Sequence, residues 1–324
     1  YIMSRYRNNI LLTFSDYDRL DIGIYKSKGS REIIPVEEID FINNECKIIA
    51  RNLMMWIKAN NIDSIYNYKL NEGVFNHIAI RNNEKNEFLL EFYFHEIKQE
   101  VLSSLKFWNL ETYKIKSIYY QIEDKNKNNF RDNFFHLKGD KYLYYNVCNK
   151  KIGIKAGSFF QTNNYVLNQV YSDLKNLLLK DLRVNFLDFY CGVGVVSIIM
   201  SEFYKNCIGV EINKNAIDVA HHNSIINQSN NINFNCDSVE NFITNLNLDE
   251  KFVIFINPPR SGLKIEVINK INSIKKLVIQ MMYLSCSKKT LDRDLEQFDF
   301  KHEIIKEYDM FPKTNHKEYL VKLF

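Results

Sequence analysis

The chain has 324 residues, 46% hydrophobic and 25% charged, enough to fold as two domains with buried cores. No stretch approaches the roughly 18–20 uninterrupted apolar residues of a membrane-crossing helix. The net charge of +4, shared between the two halves of the chain, permits a nucleic-acid partner without requiring one.

Six cysteines, at positions 46, 148, 191, 207, 236 and 286, contain no Cys-x-x-Cys pair. That argues against a zinc site and a disulfide framework, so a reducing, cytoplasmic setting is expected. The chain opens Tyr1-Ile-Met-Ser without a signal-peptide pattern and without an initiator Met, which leaves room for residues upstream.

In chain order, residues 10–40 and 74–98 read as strands, with a helix near Asn43–Asn60 between them. Lys125-Asn-Lys-Asn-Asn129 has the composition of a polar loop. A boundary near 150 is expected, giving domains 1–150 and 151–324, and a helix over Gln161–Lys180 leads into the second. There the apolar run Val184–Phe189 ends in Tyr190-Cys-Gly-Val-Gly194, followed by a helix from Val195 to about Tyr204. Next come a strand at Cys207–Glu211, a helix from Asn213 to Asn227, a strand at Asn231–Asn235 and a helix around Ser238–Leu246. The strand Phe252–Ile256 leads into Asn257-Pro-Pro-Arg260, and the strand Leu277–Met282 precedes a helix near Lys289–Phe298. Strand-like runs Glu303–Tyr308 and Glu318–Phe324 close the chain, with antiparallel pairing expected at one sheet edge. Short strands alternating with helices predict a largely parallel sheet covered by helices, the α/β class, behind a smaller α+β domain.

Parallel sheets bind ligands at the carboxyl ends of their strands. Gly192 and Gly194 sit in the turn after the first strand of the second half, where glycines let backbone turn tightly and approach a ligand. Glu211 ends the second strand, where an acid accepts hydrogen bonds from ribose hydroxyls, and Asp237 after the third could meet an adenine. Taken singly, both acids could equally cap helices. The ordered set, completed by Asn257-Pro-Pro, favours S-adenosylmethionine over NAD. An Asn-Pro-Pro loop followed by an aromatic would indicate methylation of an amino nitrogen, but Arg260 follows here. Cys286 ends another sheet strand, before an expected helix N-terminus and near Lys288 and Lys289, features that lower a thiol pKa. A buried structural cysteine is the plain alternative. His316 and Glu318 are acid/base candidates near the carboxy terminus.

The ordered series Ser158-Phe-Phe-Gln-Thr-Asn163, Asp188-Phe-Tyr-Cys-Gly-Val-Gly194, Gly209-Val-Glu211, Asn257-Pro-Pro-Arg-Ser-Gly262, Tyr283-Leu-Ser-Cys286 and Asp309-Met-Phe-Pro-Lys-Thr-Asn-His-Lys-Glu318 resembles the bacterial RNA 5-methyluridine methyltransferases, which act on tRNA or 23S ribosomal RNA. The resemblance is strong over residues 150–324 and weak before them. It implies a Rossmann-like S-adenosylmethionine domain preceded by an RNA-contacting domain. It also implies methylation at C5 of a uridine, with Cys286 the nucleophile adding to C6 and Glu318 the base removing the C5 proton. Gln161, Tyr190, Gly192, Gly194, Glu211, Asp237 and Asn257 then fall at cofactor positions, and Phe160 and Arg260 at substrate positions. A flipped-out base in structured RNA is the implied substrate. Two departures stand out: Asn257 replaces the family's usual Asp, and Val195 replaces an Asn common among relatives.

Several ribosomal RNA members of that family carry an iron–sulfur cluster whose fourth cysteine lies in a region resembling Asp21–Ser30 through Cys46. No three-cysteine group precedes it, so the chain does not support a cluster, and Cys46 is either an orphan ligand or an ordinary helix residue. This likeness inclines the reading towards 23S ribosomal RNA over tRNA. A monomer without a protein partner is expected. The alternatives are an amino-group methyltransferase of the Asn-Pro-Pro type, acting on adenine or glutamine, and a decayed relative that only binds RNA.

Overall fold

A computed structural model describes residues 5–15, 21–60, 65–66, 72–108, 112–122, 133–246, 250–312, 314 and 316–324. The polar loop expected at 125–129 lies outside them, as do positions 313 and 315. The chain divides into two compact units, 1–145 with 154–157, and 146–153 with 158–324.

In the first unit, strands β1 (Asn9–Ser15), β2 (Asp21–Tyr25) and β3 (Ile33–Pro35) precede helix α1 (Asn44–Ala59). Strands β4 (Phe75–Asn82) and β5 (Phe88–Phe94), helix α2 (Gln99–Phe107), and strands β6 (Ile115–Ile122) and β7 (Phe135–Gly139) follow. They form one sheet ordered β3-β2-β1-β4-β5-β6-β7. Its pairs are antiparallel except β5 with β6, the parallel pair whose connection carries α2. Asn43 caps α1 by accepting the Cys46 N–H at 2.8 Å. Helical spacing then places Cys46, Ile49, Ala50, Leu53 and Ile57 in the core with Leu12, Phe75, Leu90 and Phe92.

Strands β8 (Leu143–Val147) and β9 (Lys150–Ile154) pair with each other. Helix α3 (Asn164–Leu177), strand β10 (Asp181–Phe189), helix α4 (Val195–Met200), strand β11 (Tyr204–Glu211) and helix α5 (Lys214–Ile226) follow. Then come β12 (Ile232–Cys236), α6 (Val239–Asn245), β13 (Phe252–Ile256), α7 (Ile265–Ser273), β14 (Val278–Ser285), α8 (Lys288–Leu295), β15 (His302–Tyr308) and β16 (Glu318–Leu323). The sheet order is β12-β11-β10-β13-β14-β16-β15. Strands β10 to β14 are parallel, and β16 runs antiparallel between β14 and β15. The last strand of the chain therefore lies inside the sheet, and the one before it forms the edge.

Burial on both faces explains the unbroken apolar runs: all five residues of β13 are buried, and Leu187, Phe189, Ile254, Ile256 and Tyr283 share one core. Asn163, Asn213, Ser238 and Ser287 cap α3, α5, α6 and α8 by accepting a backbone N–H from within the first turn. The strand order reverses between β10 and β13, which opens a crevice at their carboxyl ends.

Candidate active site

An open cleft of about 440 Å³ occupies that crevice. Phe159, Phe160 and Gln161 from the segment before α3, Tyr190 to Val193 from the loop after β10, and Asn257 after β13 all line it. The loop is left-handed at Tyr190 (φ 62°), Gly192 (φ 54°) and Gly194 (φ 80°). The two glycines serve different ends. A Cβ on Gly192 would meet nothing within 4 Å, so its backbone faces open space that a ligand can fill. A Cβ on Gly194 would come within 2.7 Å of the Phe234 ring, so its absence lets α4 start close to the sheet.

Two carboxylates brace this loop. Asp188 is buried and accepts hydrogen bonds from the Ser197 N–H at 2.9 Å and hydroxyl at 2.6 Å. Burial pushes Asp188 up to about 7, against the pull of the Ser197 hydrogen bonds and with help from the Glu211 charge. Glu211 accepts the Gly192 N–H at 3.3 Å on one oxygen and the Asn213 N–H at 2.9 Å on the other. Asp237 donates its N–H to the Glu211 carbonyl at 3.2 Å, and its side chain accepts the Ser238 N–H and the Asn241 amide. Both acids therefore support helix starts while standing at the strand ends beside the glycine loop.

A second group of side chains lies at the neighbouring strand ends. The β14–β16 register pairs Tyr283 with Val321, Leu284 with Leu320 and Ser285 with Tyr319, so Cys286, just after β14, and Glu318, the first residue of β16, lie at the same end of that ladder. Glu318 is 3% exposed, and its Oε2 has no hydrogen-bond partner among the described residues. Burial pushes this carboxyl up to about 7, with Arg260 opposing the shift. Cys286 is half-buried, and burial pushes its thiol up, as does the Glu318 charge. Arg260 acts the other way, chiefly by its charge.

That corrects the expectation that Lys288, Lys289 and a helix terminus lower this thiol. Lys288 is exposed and paired with Asp292, burial is the largest influence, and the counter-charge comes from Arg260 on a different strand end. Asn257 and Arg260, three residues apart in the loop after β13, link the cleft to the thiol. Of the acid/base candidates, only Glu318 joins Cys286; His316 is exposed, its ring 6.3 Å from that of Phe311.

Sequence reasoning passed over two groups that the fold brings in. Tyr171 of α3 lines the cleft, and burial first, then the charges of Asp188 and Glu318, raise its phenol, so it stands near both carboxylates. Its only signal was a place on the apolar stripe of a helix. Phe159 is 62% exposed at the cleft, beside the predicted Phe160, which is buried. Among the described residues no group of three or more His, Cys, Asp or Glu side chains could hold a metal ion. Cys46 is a core residue of α1, its thiol pushed up to about 12 by burial. Among the described residues no helix is long and apolar enough to cross a membrane.

The family model for tRNA (uracil-5-)-methyltransferases matches residues 127–324. An uncharacterized RNA methyltransferase of Fusobacterium nucleatum is 30% identical over 324 residues, covering 97% of this chain and 68% of its own. Another, from Clostridium acetobutylicum, is 25% identical over 334 residues, covering 98% and 71%. The Pyrococcus abyssi tRNA (uracil-54, C5)-methyltransferase, solved in complex with S-adenosyl-L-homocysteine, has a similar fold, with a TM-score of 0.83 and 24% identity over 99% of this chain and 76% of its own.

Proposed function

Because this chain belongs to the tRNA (uracil-5-)-methyltransferase family, we propose that it methylates C5 of a uridine in structured RNA through a covalent adduct on Cys286. The observation that carries this reading is the gathering of Cys286 and the buried Glu318, whose Oε2 has no partner among the described residues, at one end of the β14–β16 ladder, with the Arg260 charge acting on the thiol. An amino-group methyltransferase has no work for either residue.

The residues of the cleft suit S-adenosylmethionine: the open space over Gly192 admits a ligand against the backbone, and Gln161, Tyr190, Gly194, Glu211, Asp237 and Asn257 surround or support it. Bound there, S-adenosylmethionine supplies an electrophilic methyl group. The protein must supply the rest, because C5 of uracil is a poor nucleophile. Cys286, as thiolate, forms a bond to C6, and the C5–C6 π pair moves into an enolate that makes C5 nucleophilic. Once C5 carries the methyl group, the Glu318 carboxylate takes the C5 proton. The C–H electron pair restores the double bond and the Cys286 thiolate leaves. Arg260 steadies the thiolate, and Phe160 with Phe159 offers rings to an extruded base.

Residues 1–150 are assigned to contacts with the RNA, and the protein to the cytoplasm as a monomer. Between tRNA and 23S ribosomal RNA, the latter is favoured by the sequence likeness around Cys46 alone. The test is incubation of the purified protein with S-adenosylmethionine and unmodified transcripts of each RNA, followed by nucleoside mass spectrometry. The reading expects 5-methyluridine in one of them. A methylated adenosine, or no methylated nucleoside in either, overturns it.

A further inference from the structure

Helix α8 follows Cys286 directly, and its inner face reaches back to the loop that carries Arg260. Asp294 lies there with 0% exposure. Its Oδ2 accepts the Leu263 N–H at 2.8 Å and the Tyr283 hydroxyl at 2.7 Å, so one carboxylate oxygen joins the Arg260 loop to β14, the strand that ends just before Cys286. Its Oδ1 accepts from Arg293, whose guanidinium also donates to the Ser261 carbonyl at 3.0 Å and the Leu263 carbonyl at 3.1 Å. The Thr290 hydroxyl donates to the carbonyl of Arg260 itself at 3.2 Å. Between these contacts Gly262 turns with φ 74°, and a Cβ there would come within 2.5 Å of Arg293 and 2.6 Å of Asp294. The loop thus has no room to shift inwards, and both faces of its turn are hydrogen-bonded to one helix.

This is more than the helix needs for its own stability. A buried carboxylate is costly unless its oxygens are satisfied, and hydrophobic side chains would pack α8 at lower cost. The partners of Asp294 lie on the two chain segments whose side chains must meet, Arg260 and Cys286. We propose that Asp294 is a positioning residue that, with Arg293, holds the Arg260 loop in register with the end of β14, which Cys286 follows, so that the guanidinium charge is kept close to the sulfur. The proposal deepens the functional reading given above, yet it concerns a contact within the protein and is testable without RNA or methyl donor.

The experiment measures the pH dependence of Cys286 alkylation by iodoacetamide, read on the Cys286-containing peptide by mass spectrometry. Arg260→Ala, Asp294→Asn, Arg293→Met and the Arg260→Ala/Asp294→Asn double variant are compared with the parent protein. The charged groups facing the thiol are Arg260 and Glu318, and only the first is displaced. Arg260→Ala should move the alkylation midpoint to higher pH and slow the reaction at neutral pH several-fold. Asp294→Asn and Arg293→Met should reproduce most of that shift, and the double variant should show no more than Arg260→Ala alone. If Asp294→Asn does not fold, Arg293→Met decides, because that side chain is half exposed. A purely structural role predicts a lower unfolding midpoint with an unchanged alkylation profile; that result, or shifts that add in the double variant, overturns the proposal. A parent protein that methylates no uridine while the variants show these shifts would instead count against the uridine reading.

Discussion

Cys286 and Glu318 lie at the same end of the antiparallel β14–β16 ladder, the first just after the last residue of β14 and the second opening β16, beside the final Ser285–Tyr319 pair. The antiparallel insertion of β16 is what brings a thiol under the charge of a carboxylate 32 positions later in sequence. Glu318→Gln keeps the shape of the side chain but cannot take a proton from C5. Turnover should fall by roughly 10²–10⁴-fold. Methylated RNA still bonded to Cys286 should accumulate and be seen as a shifted band on a denaturing gel. Turnover at the parent rate with no adduct would remove Glu318 from the mechanism.

Cys286→Ala should abolish methyl transfer while leaving S-adenosylmethionine binding intact, measured by calorimetry, because the thiol lies outside the cleft lining. Cys191→Ala should cost far less activity. Cys191 is buried at the edge of the cleft, and burial drives its thiol well above the ordinary range, so it is a packing group in the glycine loop.

Acidity should act on activity and stability in opposite directions. Glu318 must be ionised to act as a base, so turnover should rise as pH increases through about 7, and rise further as the Cys286 thiol ionises. For stability the sign reverses. Asp188 and Glu318 both titrate near 7 when folded, above the usual carboxylate range, so the folded state holds protons that the unfolded chain releases. Their contribution is complete in acid below the unfolded values and is lost as pH rises through about 7. Thermal melts between about pH 5 and pH 8 should therefore show a fall that is smaller in Glu318→Gln. An equal fall in that variant would contradict the assignment.

Gly194→Ala should destabilise the second unit by about 1–3 kcal/mol, because alanine strains the left-handed backbone and its Cβ meets the Phe234 ring. Gly192→Ala meets only the open cleft, so beyond the backbone strain it should weaken S-adenosylmethionine binding more than Gly194→Ala does. Denaturant unfolding and calorimetric titration separate the two effects. Equal losses of affinity in both would contradict the division of roles.

The second unit was legible because its central strands are buried on both faces and α3, α5, α6 and α8 begin at Asn or Ser caps, which write the starts of those helices into the sequence. Boundaries were less so. The helix expected to run from Val195 to Tyr204 stops at Met200, and a 3₁₀ turn over Ser201–Phe203 gives β11 its first residue at Tyr204. Helix α7 went unread, starting at Ile265 after Lys264, which makes no side-chain cap. Helix α2 and strand β6 went unread too. Lys98 does not cap α2, and β6 carries polar Ser117 and Gln121 at buried positions. The site was legible as a set of motifs, but its electrostatics were not. Lysines adjacent in sequence suggested a lowered thiol pKa, whereas burial and Glu318 raise it and the balancing charge comes from Arg260. Proximity created by sheet register cannot be read from neighbours along the chain.

The covalent step is the central claim, and RNA carrying 5-fluorouridine at the target position tests it most directly. Fluorine cannot leave C5 as a proton does, so the Cys286–C6 bond should persist once C5 has been methylated. With S-adenosylmethionine present, the protein should migrate on a denaturing gel as a complex with the RNA, and the Cys286 peptide should carry the modified nucleotide. Cys286→Ala should give no complex. A parent protein that methylates uridine RNA yet forms no donor-dependent complex with the fluorinated RNA, or one whose complex survives Cys286→Ala, contradicts the account.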